Sequence, residues 1–313
     1  MEEGKGTNWK LIKDECSMVI CKTINVNDNF LDGLAQVVKI MAEADSSEDT
    51  DLTIDFSNTK FVSPLFVLSL LVYLSGCGKR VSIININDYL LTIGMQNFGV
   101  RADLMRITQF IAFLERFSKK TYIPIIAFPT DSNNDKKEAI SSVVEKMIVS
   151  QSNIAPNVAI GIKYMISEIL DNITEHSESP IGYIFAQAYT QKGYLDICIE
   201  DQGIGLLGSY KKVPNNEIID DMEAMKAANR RISSKNRPEA ESRGYGIWTS
   251  KRMLVEGLGG QYLMVSGNSF YHKGINFDRF FCLPKGLRWN GTLVAFRIPT
   301  NQMVAFNYIN YIE

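Results

Sequence analysis

The stretch Pro64–Leu74 is the most apolar in the chain, and it limits what the chain can become. It is about half the length a membrane-spanning helix needs and carries Ser69 within it, so no transmembrane span is predicted. A proline preset for the first helical turn opens it after Phe61-Val62-Ser63, and Ser75-Gly76-Cys77-Gly78 closes it. Its surroundings alternate between strand and helix patterns. Met18–Ile24 reads as a strand, Phe30–Ala44 has helical spacing, Leu52–Phe56 alternates as a strand, and Arg80–Asn85 is another strand. Asp103–Lys119 is expected to close this small α/β unit as an amphipathic helix.

The chain has 313 residues, with 33 basic against 35 acidic side chains and a formal net charge of −2. The length favours two domains, divided at 1–119 and 120–313. The near-neutral balance argues against a generally basic nucleic-acid binder and supplies no polybasic arm for anionic lipid. Met1-Glu2-Glu3-Gly4 opens the sequence without an apolar signal segment, which predicts a soluble protein with the cytoplasm as its default location and no membrane partner. Cysteines 16, 21, 77, 198 and 282 form no CxxC pair, which suits reduced thiols better than disulfides or zinc, and two histidines argue against a histidine-rich metal site.

A second start follows residue 120. Thr121–Phe128 is strand-like, Asp131–Asp135 is a polar turn that can cap a helix over Lys136–Ser150, and Pro156 opens a longer helix to His176. Ile181–Tyr189 and Tyr194–Glu200 read as a hairpin pair. The polar connection from Gly205 to Arg243 holds one predicted helix near Ile218–Arg231, and a connection this long suggests a lid or binding loop. A helix from Gly246 to Leu258 and strands near Tyr262–Ser266, Phe277–Leu283 and Thr292–Ile298 complete the pattern, which is mixed α/β (α+β).

Three motifs carry candidate chemistry. In Glu168-Ile169-Leu170-Asp171-Asn172 and on to His176, steps of four put Glu168, Asn172 and His176 along one side of a helix. The Asn172 amide oxygen suits Mg²⁺, which prefers hard oxygen donors, while Glu168 can orient or deprotonate a nucleophile. A solvated polar stripe explains the same spacing. Asp201-Gln202-Gly203-Ile204-Gly205 ends a strand, where an aspartate can accept from an exocyclic amine and glycines admit a flat ring; an ordinary strand-end turn has the same composition. Ser242-Arg243-Gly244-Tyr245-Gly246 opens a helix whose free N–H groups suit an anion, and a hinge would look alike.

In this order and on these elements, the three motifs resemble the ATP-binding (Bergerat) fold of the GHKL family, which includes gyrase, MutL, histidine kinases and anti-sigma-factor kinases. The resemblance spans about Tyr122–Thr300 and implies an α/β sandwich ATPase domain with a mobile lid and with ATP and Mg²⁺ as ligands. It implies that Asn172 holds the metal, Asp201 reads adenine, Gly203 and Gly205 shape the purine pocket, and Gly244 and Gly246 cradle phosphates. It further places Thr292 of Asn290-Gly291-Thr292 behind the adenine and Glu168 as the catalytic base. His176 falls where anti-sigma-factor kinases often carry histidine, with a structural role equally open. Lys226, Arg230, Arg231, Lys235 and Arg237 offer phosphate-seeking cations in the lid or a solvated helix face, and Arg243, directly before the glycine turn, is the preferred phosphate contact.

The first half resembles a STAS domain, the fold of anti-sigma-factor antagonists, through Leu52-Thr53-Ile54-Asp55-Phe56, Ser63-Pro64-Leu65 and the strand after the apolar helix. Those antagonists carry a phosphorylatable serine where Pro64 stands here, and Ser63, just before it, reads first as a helix N-cap. The expectation is therefore an N-terminal STAS-like domain joined to a Bergerat-fold domain: an Mg-ATP-dependent serine kinase or ATPase switch acting on a protein partner, such as a sigma-factor or STAS-type regulator. The alternatives are a switch that holds ATP without turnover and an ATP-gated DNA clamp; the clamp branch normally adds a transducer domain, whereas here the last predicted strand lies close to Glu313. The oligomeric state is left open, a homodimer included.

Overall fold

The computed structural model of the chain describes residues 18–21, 29–131, 134–151, 154–230, 245–300 and 306–311. Arg231, Lys235, Arg237, Arg243, Gly244 and Cys16 lie outside the described residues.

A parallel three-stranded sheet in the order β1-β2-β3 is built from β1 (Met18–Cys21), β2 (Asp51–Asp55) and β3 (Arg80–Ile84). Helices α1 (Asp32–Ser46) and α2 (Pro64–Gly76) connect these strands. Extended Ser63 starts α2 by accepting the Phe66 N–H at 3.2 Å, with Pro64 at the first helical position, where its missing N–H costs nothing. Every residue from Pro64 to Val72 is buried, and so is Leu74. A helix that is apolar all round needs partners all round. Here α2 shares one core with α1 and with Leu52 and Ile54 of β2, and the same core continues into a second, larger sheet.

That sheet has eight strands in the order β10-β9-β8-β11-β7-β6-β5-β4. In sequence they are β4 (Val100–Arg101), β5 (Tyr122–Pro129), β6 (Ile181–Tyr189), β7 (Tyr194–Asp201), β8 (Gln261–Gly267), β9 (Ser269–Gly274), β10 (Phe277–Cys282) and β11 (Trp289–Pro299). All neighbours are antiparallel except β4 with β5. Both faces are covered. Ile197 and Ile199 of β7, Met264 of β8 and Val294 and Phe296 of β11 belong to the helix-covered face, while Cys198, Leu263, Val265, Leu293 and Ala295 belong to the core shared with α2. Strand side chains alternate between faces, so strands buried on both sides read as nearly continuous apolar runs.

The helices run α3 (Asp88–Thr92), α4 (Ile107–Glu115), α5 (Asp135–Gln151), α6 (Pro156–His176), α7 (Gly205–Lys211), α8 (Asp221–Asn229) and α9 (Tyr245–Arg252), the last continuing as a π-helical turn over Met253–Gly257. The helix expected over Asp103–Lys119 is confined to α4, because Ala102–Leu104 forms a separate 3₁₀ turn. Phe110 and Leu114 of α4 join the core beneath α5 and α6, and Val100 and Arg101 pair with β5, so residues 100–117 lie with the larger sheet. Strands β4 and β9 and helices α3 and α7 were not anticipated from the sequence. Among the described residues no helix is long and apolar enough to cross a membrane.

Candidate functional site

Helix α6 is the spine of the candidate site. Its buried residues, including Ile162, Met165, Ile166, Ile169 and Ile173, recur at three- and four-residue steps, so the helix seats this stripe on the sheet and turns Glu168 and Asn172 away from it. Glu168 accepts a hydrogen bond from Tyr164 one turn earlier; burial, together with the carboxylate's charge, pushes the pKa of that phenol up. Asn172 is partly buried, but its Nδ2 is fully enclosed and has no hydrogen-bond partner. Enclosed polar atoms are normally satisfied, and leaving one unpaired costs about 1–3 kcal/mol.

The start of α9 closes on these two side chains. A Cβ built on Gly246 would overlap the Glu168 carboxylate and stand 3.6 Å from Asn172 Nδ2. Only glycine allows this approach. Gly246, predicted from one motif, is therefore in contact with Glu168 and Asn172, predicted from another.

The second cluster forms where β7 ends. Asp201 is 2% exposed, and its Oδ1 accepts the Gly203 N–H at 2.7 Å. Burial lifts its pKa to about 6, partly offset by that bond and by the backbone N–H of Thr292. Gly203 lies so close to the end of α6 that a Cβ would collide with the Ser177 carbonyl, which accepts from Ile204 N at 2.8 Å. Gly205 has φ +66, in the left-handed region where glycine is favoured. Leu206 N then bonds Ser266 Oγ at 3.0 Å, and Ser266 donates to the Gly291 carbonyl at 2.8 Å. Thr292 Oγ1 lies 3.4 Å from the same hydroxyl.

The two clusters meet along α6. From Asn172 to His176 the helix rises only about 6 Å, and His176 and Ser177 then face the turn. His176 Nδ1 is 3.4 Å from Ser209 Oγ on α7, and its Nε2 is 3.8 Å from Glu175. Glu168, Asn172, Asp201, Gly203, Gly205, Gly246 and Thr292 thus all border α6 or the turn packed against its C-terminus. Of the basic stretch, Lys226 is half-buried on α8 and Arg230 is exposed at its end.

Three residues here were missed from sequence. Ser266 ties Gly205, Gly291 and Thr292 together, and no local pattern marks it; its position opposite Thr292 comes from the β8–β11 register. Glu200 is 1% exposed, with burial raising its pKa strongly and Trp289 Nε1 donating to it at 3.0 Å. Lys251 of α9 is buried and donates to the Asn229 carbonyl at the end of α8 at 2.6 Å, with its pKa lowered by burial to about 8. A clue to Glu200 was legible: Asp196, Cys198 and Glu200 alternate with isoleucines, as a strand with two buried faces requires. No family model matches the chain, and no curated protein matches it.

Proposed function

We propose that the chain binds Mg-ATP in the manner of the GHKL family, through a Bergerat-type domain carried beside a STAS-like N-terminal unit, and that it acts as a serine kinase or ATPase switch on a protein partner. The observation that carries this reading is the convergence on α6 of an enclosed, unpaired Asn172 amide, the Gly246 turn seated on it, and the buried Asp201 carboxylate at the strand end.

The residues present fit the ligand. An orphaned carboxamide beside a helix start suits a metal-bound phosphate: once its amide is turned, Asn172 offers an oxygen to Mg²⁺. The ion would neutralise charge on the phosphate oxygens. Asp201, fixed by two backbone N–H groups, keeps acceptor capacity for an exocyclic amine, and Thr292 and Ser266 support it from behind. Gly246 lets the start of α9 come up against Glu168 and Asn172, so a phosphate held by the N-terminal N–H groups of that helix would lie beside the two side chains. In phosphoryl transfer, Glu168 takes the proton of a partner serine or of water.

A second reading, an ATP-dependent switch without turnover, has one observation in its favour: Tyr164 already engages the Glu168 carboxylate, which weakens it as a base. Calorimetric titration of Mg-ATP into wild type, Asp201→Ala and Asn172→Ala tests the common core of both. Binding in wild type and its loss in the variants supports nucleotide recognition here, and no heat in wild type rejects it. Turnover lost in Glu168→Gln with binding kept would select the kinase or ATPase; turnover absent in wild type would select the switch.

A further inference from the structure

The residue between Asp201 and Gly203 points away from the candidate site. Strand alternation sends Glu200 to the α2 face, Asp201 to the α6 side and Gln202 back toward α2. There Gln202 Nε2 donates to the Val72 carbonyl in the last turn of α2. The Ser75 hydroxyl, whose proton is shared with Val72 O at 2.8 Å, lies 3.1 Å from Gln202 Oε1. Both ends of the carboxamide are therefore held by α2. The fit is close: a Cβ on Gly76 would stand 2.6 Å from Gln202 Nε2.

This clasp joins the two halves of the molecule at a sensitive point. The Gly203 N–H that fixes Asp201 belongs to the peptide following Gln202, so whatever holds the Gln202 side chain also sets the direction of that N–H. Helix α2 has little freedom of its own, being buried from Pro64 to Val72. A second polar pair lies at the same interface: Ser69 is close enough to draw the Glu200 pKa down against the much larger upward push of burial, yet neither Ser69 Oγ nor Glu200 Oε2 completes a hydrogen bond.

We infer that Gln202 is a positioning residue through which helix α2 of the N-terminal unit sets the conformation of the Asp201–Gly205 turn, and with it the affinity of the site. This inference rests on the proposed nucleotide reading for its ligand, but its mechanical content, contact from Gly76 through Gln202 to the turn, does not. A partner that shifts α2 would change nucleotide affinity by this route, and by linkage nucleotide would change affinity for that partner by the same factor.

The test uses the full chain, with Gly76→Ala, Gln202→Ala and the double variant. Two readouts are taken: the Mg-ATP dissociation constant, and amide hydrogen exchange at Ile204 and Leu206, whose N–H groups bond Ser177 O and Ser266 Oγ. Alanine favours the helix at position 76, so a purely structural role predicts a more stable protein with unchanged binding. We expect instead that each single variant weakens Mg-ATP by about fivefold or more and accelerates exchange at both amides. The double variant should match Gln202→Ala alone, since the carboxamide that the new methyl would meet is gone. If wild type binds no nucleotide but Gly76→Ala speeds exchange only while Gln202 is present, the positioning role stands and the nucleotide reading falls. Exchange unchanged at both amides, or effects that simply add in the double variant, would overturn the positioning role.

Discussion

Asp201 answers two opposing demands. Its carboxylate is enclosed, which favours the neutral form, and yet two backbone N–H groups are aimed at the charged one. The folded-state pKa of about 6 exceeds the ordinary 3.8. The native state therefore holds the proton more tightly than the unfolded chain, so this contribution to stability is full below about pH 4 and lost as pH rises through about 6. Asp201→Asn should remove that loss. At about pH 8 the variant is expected to be more stable by on the order of 1–3 kcal/mol, with a flatter stability profile between about pH 4 and 6, as read by urea denaturation across that range. On the proposed nucleotide reading, the same substitution should weaken Mg-ATP by about 10–100-fold, because a neutral amide is a poorer acceptor than a carboxylate. Stability and affinity moving in opposite directions would mark a residue kept for its ligand.

Helices α2, α6 and α9 position the site as whole elements. Gly246 is the clearest dependence, since the first turn of α9 rests on Glu168 and Asn172 without space for a methyl group. Gly246→Ala is expected to cost about 1–3 kcal/mol by thermal denaturation and, on the proposed nucleotide reading, to lower nucleotide affinity as well, because the turn must retreat from the two side chains it contacts. At the start of α2, the Ser63 cap satisfies the Phe66 N–H; Ser63→Ala should cost about 1 kcal/mol, measured by chemical denaturation. Its hydroxyl is held inward, 3.0 Å from where a Cβ on Gly33 would stand, which fits a cap better than an acceptor presented to a kinase. The start and end of α6 were legible because proline opens it and its apolar stripe is regular. The short α7 was not, because its sequence directly follows a glycine turn and shows no periodic run long enough to read.

Across the whole molecule, the larger sheet is buried on one face by α5, α6 and α9 and on the other by the core around α2. Folding of the two halves should therefore be one cooperative event. Leu68, fully buried on α2, tests this: Leu68→Ala should cost about 2–5 kcal/mol and lower the stability of β7 and β11 together with β2. Hydrogen exchange showing the large sheet unaffected would mean that the halves unfold separately.

What the sequence determined by itself was local. Periodicity placed α5 and α6 and most strands, and proline and serine marked where α2 begins; the order of three short motifs is what the nucleotide proposal starts from. These signals depend on residues close together in the chain, where backbone preference and side-chain spacing act directly. Only the tertiary structure decided that Glu168, Asn172 and Gly246 touch, that Ser266 stands behind Thr292, and that Gln202 is held by Val72 and Ser75. Those contacts join residues far apart in sequence through strand register and the packing of one sheet between two layers. Burial on both faces left a local trace in the apolar run Pro64–Leu74, but which layers cover it, and the enclosure that makes Asp201 a weak acid, are properties of that assembly.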